Sequence, residues 1–231
     1  WNAALILSAR SIAAPLALGN TVVLKPSENS PLSGGLIWGE IFEAAGLPAG
    51  VLNIVTHARG AASAIGDELT SNAHVRRINF TGSTRTGRKL AEAAGRILKR
   101  VVLELGGQSP LVVLRDADLE YAVSASAFGA FLHQGQICMS TRKIIVERPI
   151  AKAFTEALVA KTASLKVGDP REKDTIIGPL ISPEALAAVH ARVKDAVATG
   201  ARVLTGGEAN GPCMQTTPLV DSPGHSEFAQ S

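Results

Sequence analysis

A predicted strand, a glycine turn and a predicted helix follow one another without a break in Phe80-Thr81-Gly82-Ser83-Thr84-Arg85-Thr86-Gly87. A strand that feeds directly into a helix is half of a βαβ unit. Such a turn points backbone N–H groups and the positive end of the helix dipole at one spot, where a phosphate can bind. Because the glycine spacing differs from the usual GxGxxG, this pattern alone fits cofactor binding and a plain strand–helix turn equally well.

The same alternation of strands and helices extends along the chain. Before Gly106, predicted strands at 21–25, 51–55, 77–81 and 101–105 alternate with predicted helices at 3–18, 31–45, 60–70 and 84–98. After Gly107, strands are predicted at 111–114, 141–147 and 202–205, and helices at 118–132, 150–164 and 183–199. Strands that are apolar on both faces indicate a parallel sheet covered by helices on each side.

This pattern predicts an α/β protein with two parts. The paired glycines Gly106-Gly107 suggest a hinge between a first part with the rhythm of βαβ units, residues 1–105, and a second α/β part, residues 106–231. The stretch from Gly206 has no clear periodicity and is expected to be irregular, and 218–231 fits either a disordered end or an abnormal terminus. Because the chain opens on Trp1 inside an apolar segment, we also expect it to be a fragment.

Composition and charge argue against several classes of protein. The 231 residues are 46% hydrophobic and 19% charged, as in soluble α/β proteins, and the net charge of +3 includes no polybasic run. We therefore expect no nucleic-acid partner. Cys138 and Cys213 lack CxxC or His-rich spacing, so neither a disulfide framework nor a metal site is expected. The absence of a disulfide framework favours a cytoplasmic location. The apolar segment 3–18 contains Arg10 and lacks a cleavage site, so a signal peptide is disfavoured and no membrane association is expected.

Lys25-Pro26-Ser27-Glu28 follows the carboxyl end of a predicted strand, the edge at which open α/β sheets bind ligands. A carboxylate there can accept hydrogen bonds from an adenosine ribose and repels a 2′-phosphate, so Glu28 favours NAD over NADP. Lys25 can donate to the same sugar. Taken alone, these residues fit a solvated Lys and Glu beside a helix N-terminus even better.

Cys138 lies in the turn Gly135-Gln136-Ile137-Cys138 after an apolar helix. An isolated cysteine is more often a small buried hydrophobic residue than a nucleophile. The nearby His133 leaves open a Cys–His pair, which would be hydrolase chemistry. A non-catalytic module that binds a dinucleotide is the other alternative.

Two further residues carry chemistry that their positions do not otherwise explain. Glu104 closes an otherwise apolar strand, where it is either a general base or a buried, ion-paired carboxylate. Asn2 offers an amide donor, although an asparagine in this position is more often a helix cap.

Five motifs in order resemble the aldehyde dehydrogenase superfamily over residues 1 to about 205. They are Trp1-Asn2, the stretch 19–28, Phe80-Thr81-Gly82-Ser83-Thr84, Leu103-Glu104-Leu105-Gly106-Gly107 and Gly135-Gln136-Ile137-Cys138. Within the superfamily, His133-Gln134 and the stretch 135–141 look most like enzymes that oxidise vanillin, benzaldehyde or salicylaldehyde.

The resemblance implies a partial Rossmann-like, parallel-sheet cofactor domain over residues 1–105 and part of an α/β catalytic domain over residues 106–231. The activity it implies is that of an NAD-dependent oxidoreductase that converts an aldehyde to its carboxylic acid. Cys138 would be the nucleophile, Glu104 the base that activates water, and Asn2 the oxyanion donor. The residues implied to bind NAD are Lys25 and Glu28 at the ribose, Gly82, Ser83 and Gly87 at the pyrophosphate, and Trp1, Thr81 and Leu105 along the cofactor channel. It also implies a homo-oligomer whose partner is a small aldehyde.

The sequence departs from this family in several places. Arg142-Lys143 stands where the aromatic relatives usually have Glu-Arg, and Thr56-His57-Ala58-Arg59-Gly60 lacks the usual Pro-Gly, so the adenine-side contacts there differ. The family's Glu-Glu-x-Phe-Gly-Pro motif and its C-terminal oligomerisation strand are absent from the 231 residues. We therefore expect weak or no activity from this chain in isolation.

Overall fold

The computed structural model describes residues 1–222 and contains two compact units, Trp1–Gly106 and Gly107–Ser231. Each unit combines helices with parallel strand pairs, which confirms the predicted α/β class. The predicted irregular end at 218–231 lies largely outside the described residues. Among residues 1–222, no helix has both the length and the apolar composition needed to cross a bilayer.

The first unit follows the predicted order of elements. Its helices are α1 (Ala4–Ala17), α2 (Ile37–Ala44), α3 (Ala62–Ser71) and α4 (Thr84–Gly95), and its strands are β1 (Val22–Leu24), β2 (Leu52–Ile54), β3 (Arg77–Thr81) and β4 (Arg100–Glu104). The single helix predicted at 31–45 is instead a π-helical turn, Leu32–Leu36, that leads into α2. The π turn contains Gly34 and Gly35, both buried.

These two glycines explain the irregular turn. A Cβ at Gly35 would lie 2.6 Å from Pro26 Cγ, and one at Gly34 would lie 3.2 Å from Ala4 Cβ. The buried Ser8 hydroxyl also donates to the Gly34 carbonyl at 2.6 Å. The π turn therefore lets the loop after β1 pack closely against the following helix.

The strands of the first unit form two parallel pairs. β1 pairs with β2, with Leu24 opposite Ile54, and Val55 N–H extends the ladder by donating to the Leu24 carbonyl at 3.0 Å. β3 pairs with β4 over five positions, from Arg77 opposite Arg100 to Thr81 opposite Glu104. The carboxyl ends of the two strands in each pair consequently lie side by side.

The second unit begins with a parallel pair and continues into small antiparallel ones. Its helices are α5 (Leu119–Phe131), α6 (Arg148–Ala163) and α7 (Pro183–Ala198), and its strands are β5 (Pro110–Val113), β6 (Lys143–Val146), β7 (Arg202–Val203), β8 (Ala209–Asn210), β9 (Cys213–Met214) and β10 (Leu219–Val220). β5 pairs with β6 in parallel, whereas β7 pairs with β10 and β8 with β9 in antiparallel fashion.

The expectation that the stretch from Gly206 is irregular is wrong over its described part. β8 and β9 form a hairpin whose two-residue loop is Gly211-Pro212, with Gly211 at φ +56°. A glycine in the left-handed region is what such a short loop requires. Two-residue strands are too short to show a hydrophobic period, which is why the sequence pattern does not reveal them.

Candidate active site

Thr81 and Glu104 lie next to each other at the carboxyl ends of β3 and β4. Gly82 N–H donates to the backbone carbonyl of Glu104 at 3.1 Å, which extends this pairing into the glycine turn. Within its own unit, the half-buried Glu104 carboxylate makes no hydrogen bond or ion pair. The first unit therefore provides no ion-pair partner for Glu104, which disfavours the alternative of a buried, ion-paired carboxylate.

The N-terminus of α4 has the features of an anion site. Ser83 is the N-cap residue, and its hydroxyl accepts from Thr86 N–H at 3.3 Å. The first turn of this 12-residue helix contains no acidic side chain. The remaining first-turn N–H groups and the helix dipole thus point toward the turn, as phosphate binding requires.

Gly82 and Gly87 are needed for close packing around this turn. A Cβ at Gly87 would lie 2.6 Å from Leu105 Cδ2, and one at Gly82 would lie 2.5 Å from Phe80 Cζ. Because the Gly82 N–H is already bonded to Glu104, Gly82 offers a bare surface and not a donor. The structure thus brings together Thr81, Gly82, Ser83, Gly87 and Leu105 around one helix N-terminus, and this cradle fits a pyrophosphate.

Lys25 and Glu28 lie at the carboxyl edge of the other strand pair, directly after β1. Lys25 Nζ donates to the Pro26 carbonyl at 2.9 Å. Burial lowers the pKa of the Lys25 ammonium, and the negative charge of Glu28 partly opposes this shift. An ammonium and a carboxylate side by side can donate to and accept from the hydroxyls of one sugar.

His57 joins this pair, although the sequence pattern indicates no role for it. Its Nε2 lies 2.9 Å from Lys25 Nζ and 3.8 Å from Glu28 Oε2, and its side chain is only 3% exposed. The signal for it was its position just beyond β2, the strand that pairs with β1. We call Lys25, Glu28 and His57 the Lys25 cluster.

The structure places Trp1 near the same cluster. Glu28 and Lys25 both lie close enough to the Trp1 nitrogen to act on it electrostatically. Ala3, at φ +48°, occupies the N-cap position of α1. Asn2 is therefore not the N-cap residue of α1.

Cys138 is exposed and free, in a turn that follows three residues with left-handed backbone. His133, Gln134 and Gly135 have φ values of +54°, +58° and +69°. Left-handed backbone is unfavourable for residues other than glycine, and it persists only where the surroundings hold it. We call residues 132–140 the Cys138 loop.

Two glutamines hold the Cys138 loop against the segment 178–181 of the same unit. The Gln136 side-chain oxygen accepts from Ile181 N–H at 3.0 Å. In the amide orientation that satisfies both of its polar groups, Gln134 donates to the His133 carbonyl at 3.0 Å and accepts from Gly178 N–H at 2.9 Å. These bonds fix the strained backbone just before Cys138.

Arg142, which stands at a departure from the family pattern, follows the Cys138 loop. Burial lowers the pKa of its guanidinium, and the positive charge of Arg192 lowers it further. The nearby charge is therefore of the same sign, and the guanidinium makes no ion pair with a described residue.

Cys213 has a different environment from Cys138. It is buried, its thiol donates to the Gly168 carbonyl at 3.7 Å, and burial raises its pKa above the ordinary value for a thiol. It lines a cavity of about 690 Å³ that none of the predicted site residues lines. Among residues 1–222, no group of three or more His, Cys, Asp or Glu side chains could hold a metal ion. The exposed Cys138 is thus the better placed of the two thiols to meet a substrate.

Comparisons with known proteins agree with this geometry. Residues 1–231 match a family model described as the aldehyde dehydrogenase family. A vanillin dehydrogenase from Pseudomonas fluorescens is 50% identical over 219 residues, which cover 95% of this chain and 45% of that protein. Two solved structures are also similar. A salicylaldehyde dehydrogenase from Pseudomonas putida G7 has a TM-score of 0.92 and 47% identity, and the match covers 99% of this chain and 47% of that chain. An NAD-dependent benzaldehyde dehydrogenase from Corynebacterium glutamicum has a TM-score of 0.89 and 42% identity, and the match covers 99% of this chain and 48% of that chain. The chain spans less than half the length of these relatives.

Proposed function

Because this chain belongs to the aldehyde dehydrogenase family, we propose that the complete protein containing it oxidises an aromatic aldehyde to the carboxylic acid with NAD. The observation that carries the proposal is the exposed Cys138 thiol on a strained loop fixed by Gln134 and Gln136. A cysteine that only filled a core would resemble the buried Cys213 instead.

In the proposed reaction the Cys138 thiolate attacks the aldehyde carbonyl carbon and forms a thiohemiacetal. The Asn2 amide and the Cys138 N–H stabilise its oxyanion. NAD, when bound, would accept the hydride that leaves the thiohemiacetal carbon, and loss of this hydride leaves a thioester on Cys138. Glu104 then removes a proton from water, which attacks the thioester carbon, releases the acid and restores the thiol. The unpaired carboxylate that the first unit provides at the end of β4 supports this role for Glu104.

The cofactor residues divide between the two strand pairs. At the β3–β4 edge, the cradle of Thr81, Gly82, Ser83, Gly87 and Leu105 suits the pyrophosphate. At the β1–β2 edge, Lys25 and Glu28 suit the adenosine ribose, with Trp1 close by. The Glu28 carboxylate repels a 2′-phosphate, so we assign NAD and not NADP.

The aromatic substrate class rests on the relatives. The vanillin, salicylaldehyde and benzaldehyde dehydrogenases are named for aromatic aldehydes and share 42–50% identity with this chain. A cytoplasmic location agrees with two free cysteines, and a homo-oligomeric state is proposed from the family resemblance.

The test is NADH formation by the complete protein with benzaldehyde, vanillin and a short aliphatic aldehyde. We expect activity that favours the aromatic aldehydes and that falls at least about 10³-fold in Cys138→Ala, because the nucleophile is gone. His133→Asn tolerates the left-handed backbone and should stay active. Loss of activity in that control would favour the thiol hydrolase alternative, and no aldehyde oxidation by the wild type would refute the proposal.

A further inference from the structure

The Lys25 cluster contains a residue that neither the sequence pattern nor the proposed mechanism uses. β1 and β2 are paired in parallel, so Lys25, just after β1, and His57, three residues beyond β2, emerge from one edge. Glu28 Oε2 lies 3.8 Å from the imidazole Nε2. Two loops, one after each strand of this pair, therefore bring a cation, an anion and an imidazole together.

The hydrogen bonds of His57 define its tautomer. Its Nδ1 lies 2.9 Å from the Ala58 carbonyl, which can only accept, so Nδ1 carries the proton. In the neutral ring Nε2 is then an acceptor, and it receives a hydrogen bond from the Lys25 ammonium at 2.9 Å. Because the His57 side chain is only 3% exposed, this acceptor is held in one position.

Two of the three Lys25 donors are thus committed within the protein. One bonds to the Pro26 carbonyl and one to His57 Nε2, each at 2.9 Å. One donor remains for a sugar hydroxyl, beside the Glu28 carboxylate, which accepts. A 2′-phosphate, in contrast, needs several donors and carries up to two negative charges.

Building on the proposed function, we propose that His57 is a specificity-determining residue that excludes NADP by holding the Lys25 ammonium away from a 2′-phosphate. His57 positions Lys25 and does not itself perform the reaction. Without this acceptor, Lys25 has a second donor free and can turn toward a phosphate. The discrimination between NAD and NADP then falls, although Glu28 is still present.

Two substitutions separate this role from simple filling of space. The side-chain oxygen of glutamine reaches the position of His Nε2, whereas the shorter asparagine reaches only that of Nδ1. His57→Gln therefore keeps an acceptor for Lys25 and His57→Asn removes it. The exposed His74 lies in the same unit, outside the Lys25 cluster, and His74→Asn is the matched control.

The experiment measures Kd for NAD and for NADP by calorimetry on the complete protein, together with Tm. We expect the Kd ratio of NADP to NAD to fall about tenfold in His57→Asn, as expected for loss of one hydrogen bond to a charged group, and to stay near wild type in His57→Gln and His74→Asn. Aldehyde oxidation by the wild type is measured in parallel.

The outcomes separate the two proposals. If His57→Asn leaves the Kd ratio of NADP to NAD unchanged, the proposed role of His57 is overturned. An equal fall of this ratio in both His57 variants, accompanied by a lower Tm, overturns it as well. Binding of NAD without aldehyde oxidation contradicts only the proposed function. If the wild type binds neither dinucleotide, both proposals are overturned.

Discussion

The first unit holds its proposed site residues by strand pairing, whereas the second unit holds Cys138 by a strained loop. Thr81 and Glu104 are opposite each other in the β3–β4 ladder, and Lys25 follows the β1–β2 ladder. Cys138, in contrast, follows three left-handed residues that two glutamine side chains keep in place.

This difference teaches where each unit is vulnerable. Ladder hydrogen bonds belong to the backbone, so a side-chain substitution at a strand end changes chemistry and leaves the geometry intact. The Cys138 loop depends on a few side-chain bonds, so substitutions next to the nucleophile should change its position. Substitutions at the two kinds of position should therefore separate effects on chemistry from effects on geometry.

Glu104→Gln should lower steady-state aldehyde oxidation by about 10²–10⁴-fold, because the amide cannot take the proton from water. The backbone of β4 still pairs with β3, so Tm and the Kd for NAD should stay unchanged. Rapid-mixing measurements should show one burst of NADH per site, since thioester formation does not need the base. Glu92→Gln, on the exposed surface of α4, is the control. A variant that lost both the burst and its stability would show that Glu104 is a structural residue.

Gly87→Ala should destabilise the first unit by about 1 kcal/mol. The new Cβ would lie 2.6 Å from Leu105 Cδ2, and the cost is modest because only the end of that side chain must move. Gly95→Ala, in the same helix, meets nothing within 4 Å and should instead be neutral or stabilise by up to about 1 kcal/mol. Chemical denaturation measures both, and adding Leu105→Ala to Gly87→Ala should show coupling. Additive effects would mean that Leu105 does not pack on Gly87.

Gln136→Ala should lower kcat several-fold and stability by about 1 kcal/mol, because the Ile181 N–H loses its acceptor and the Cys138 loop loosens. The Kd for NAD should not change. The control is Gln215→Ala, since the Gln215 side-chain oxygen also accepts from a backbone N–H, that of Glu208, at 3.3 Å. It should lose similar stability and keep kcat. Equal kcat losses in both variants would argue that stability alone accounts for the effect.

Strong local patterns allowed most elements to be predicted from sequence. β3 was predicted with its observed ends, 77–81, because Ile78 and Phe80 alternate with polar residues there and the alternation stops at a glycine turn. The π turn at Leu32–Leu36 was missed because it depends on the contact between Gly35 and Pro26, which is tertiary. The same limit applies to the hairpin of β8 and β9, whose strands have two residues each.

The site could be predicted only one residue at a time. The register of β3 and β4 brings Thr81 beside Glu104, and the sequence suggested each of them separately. His57 was noticed only as a departure from a family pattern, because its importance comes from the pairing of β1 with β2. Gln134 and Gln136 belong to motifs that the sequence shows, but their hydrogen-bond partners at 178–181 lie more than 40 residues further along the chain.

The smallest effect is expected from the turn that supports the segment 178–181. Asp169 accepts hydrogen bonds from the side chain and the backbone N–H of Arg171, and these bonds lower the pKa of the Asp169 carboxyl group. Pro170, between Asp169 and Arg171, approaches Gly178. A carboxyl group with a lowered pKa in the folded state stabilises the fold above its unfolded pKa, and this stabilisation is lost as the pH falls through the folded pKa. Asp169→Asn should therefore lower Tm slightly at neutral pH, less in high salt because the pair is exposed, and progressively less as the pH falls below the ordinary pKa of an aspartate. Glu172→Gln, in the same turn, is the control. A Tm difference that persisted in acid would assign the effect to packing of the turn instead of to the charge.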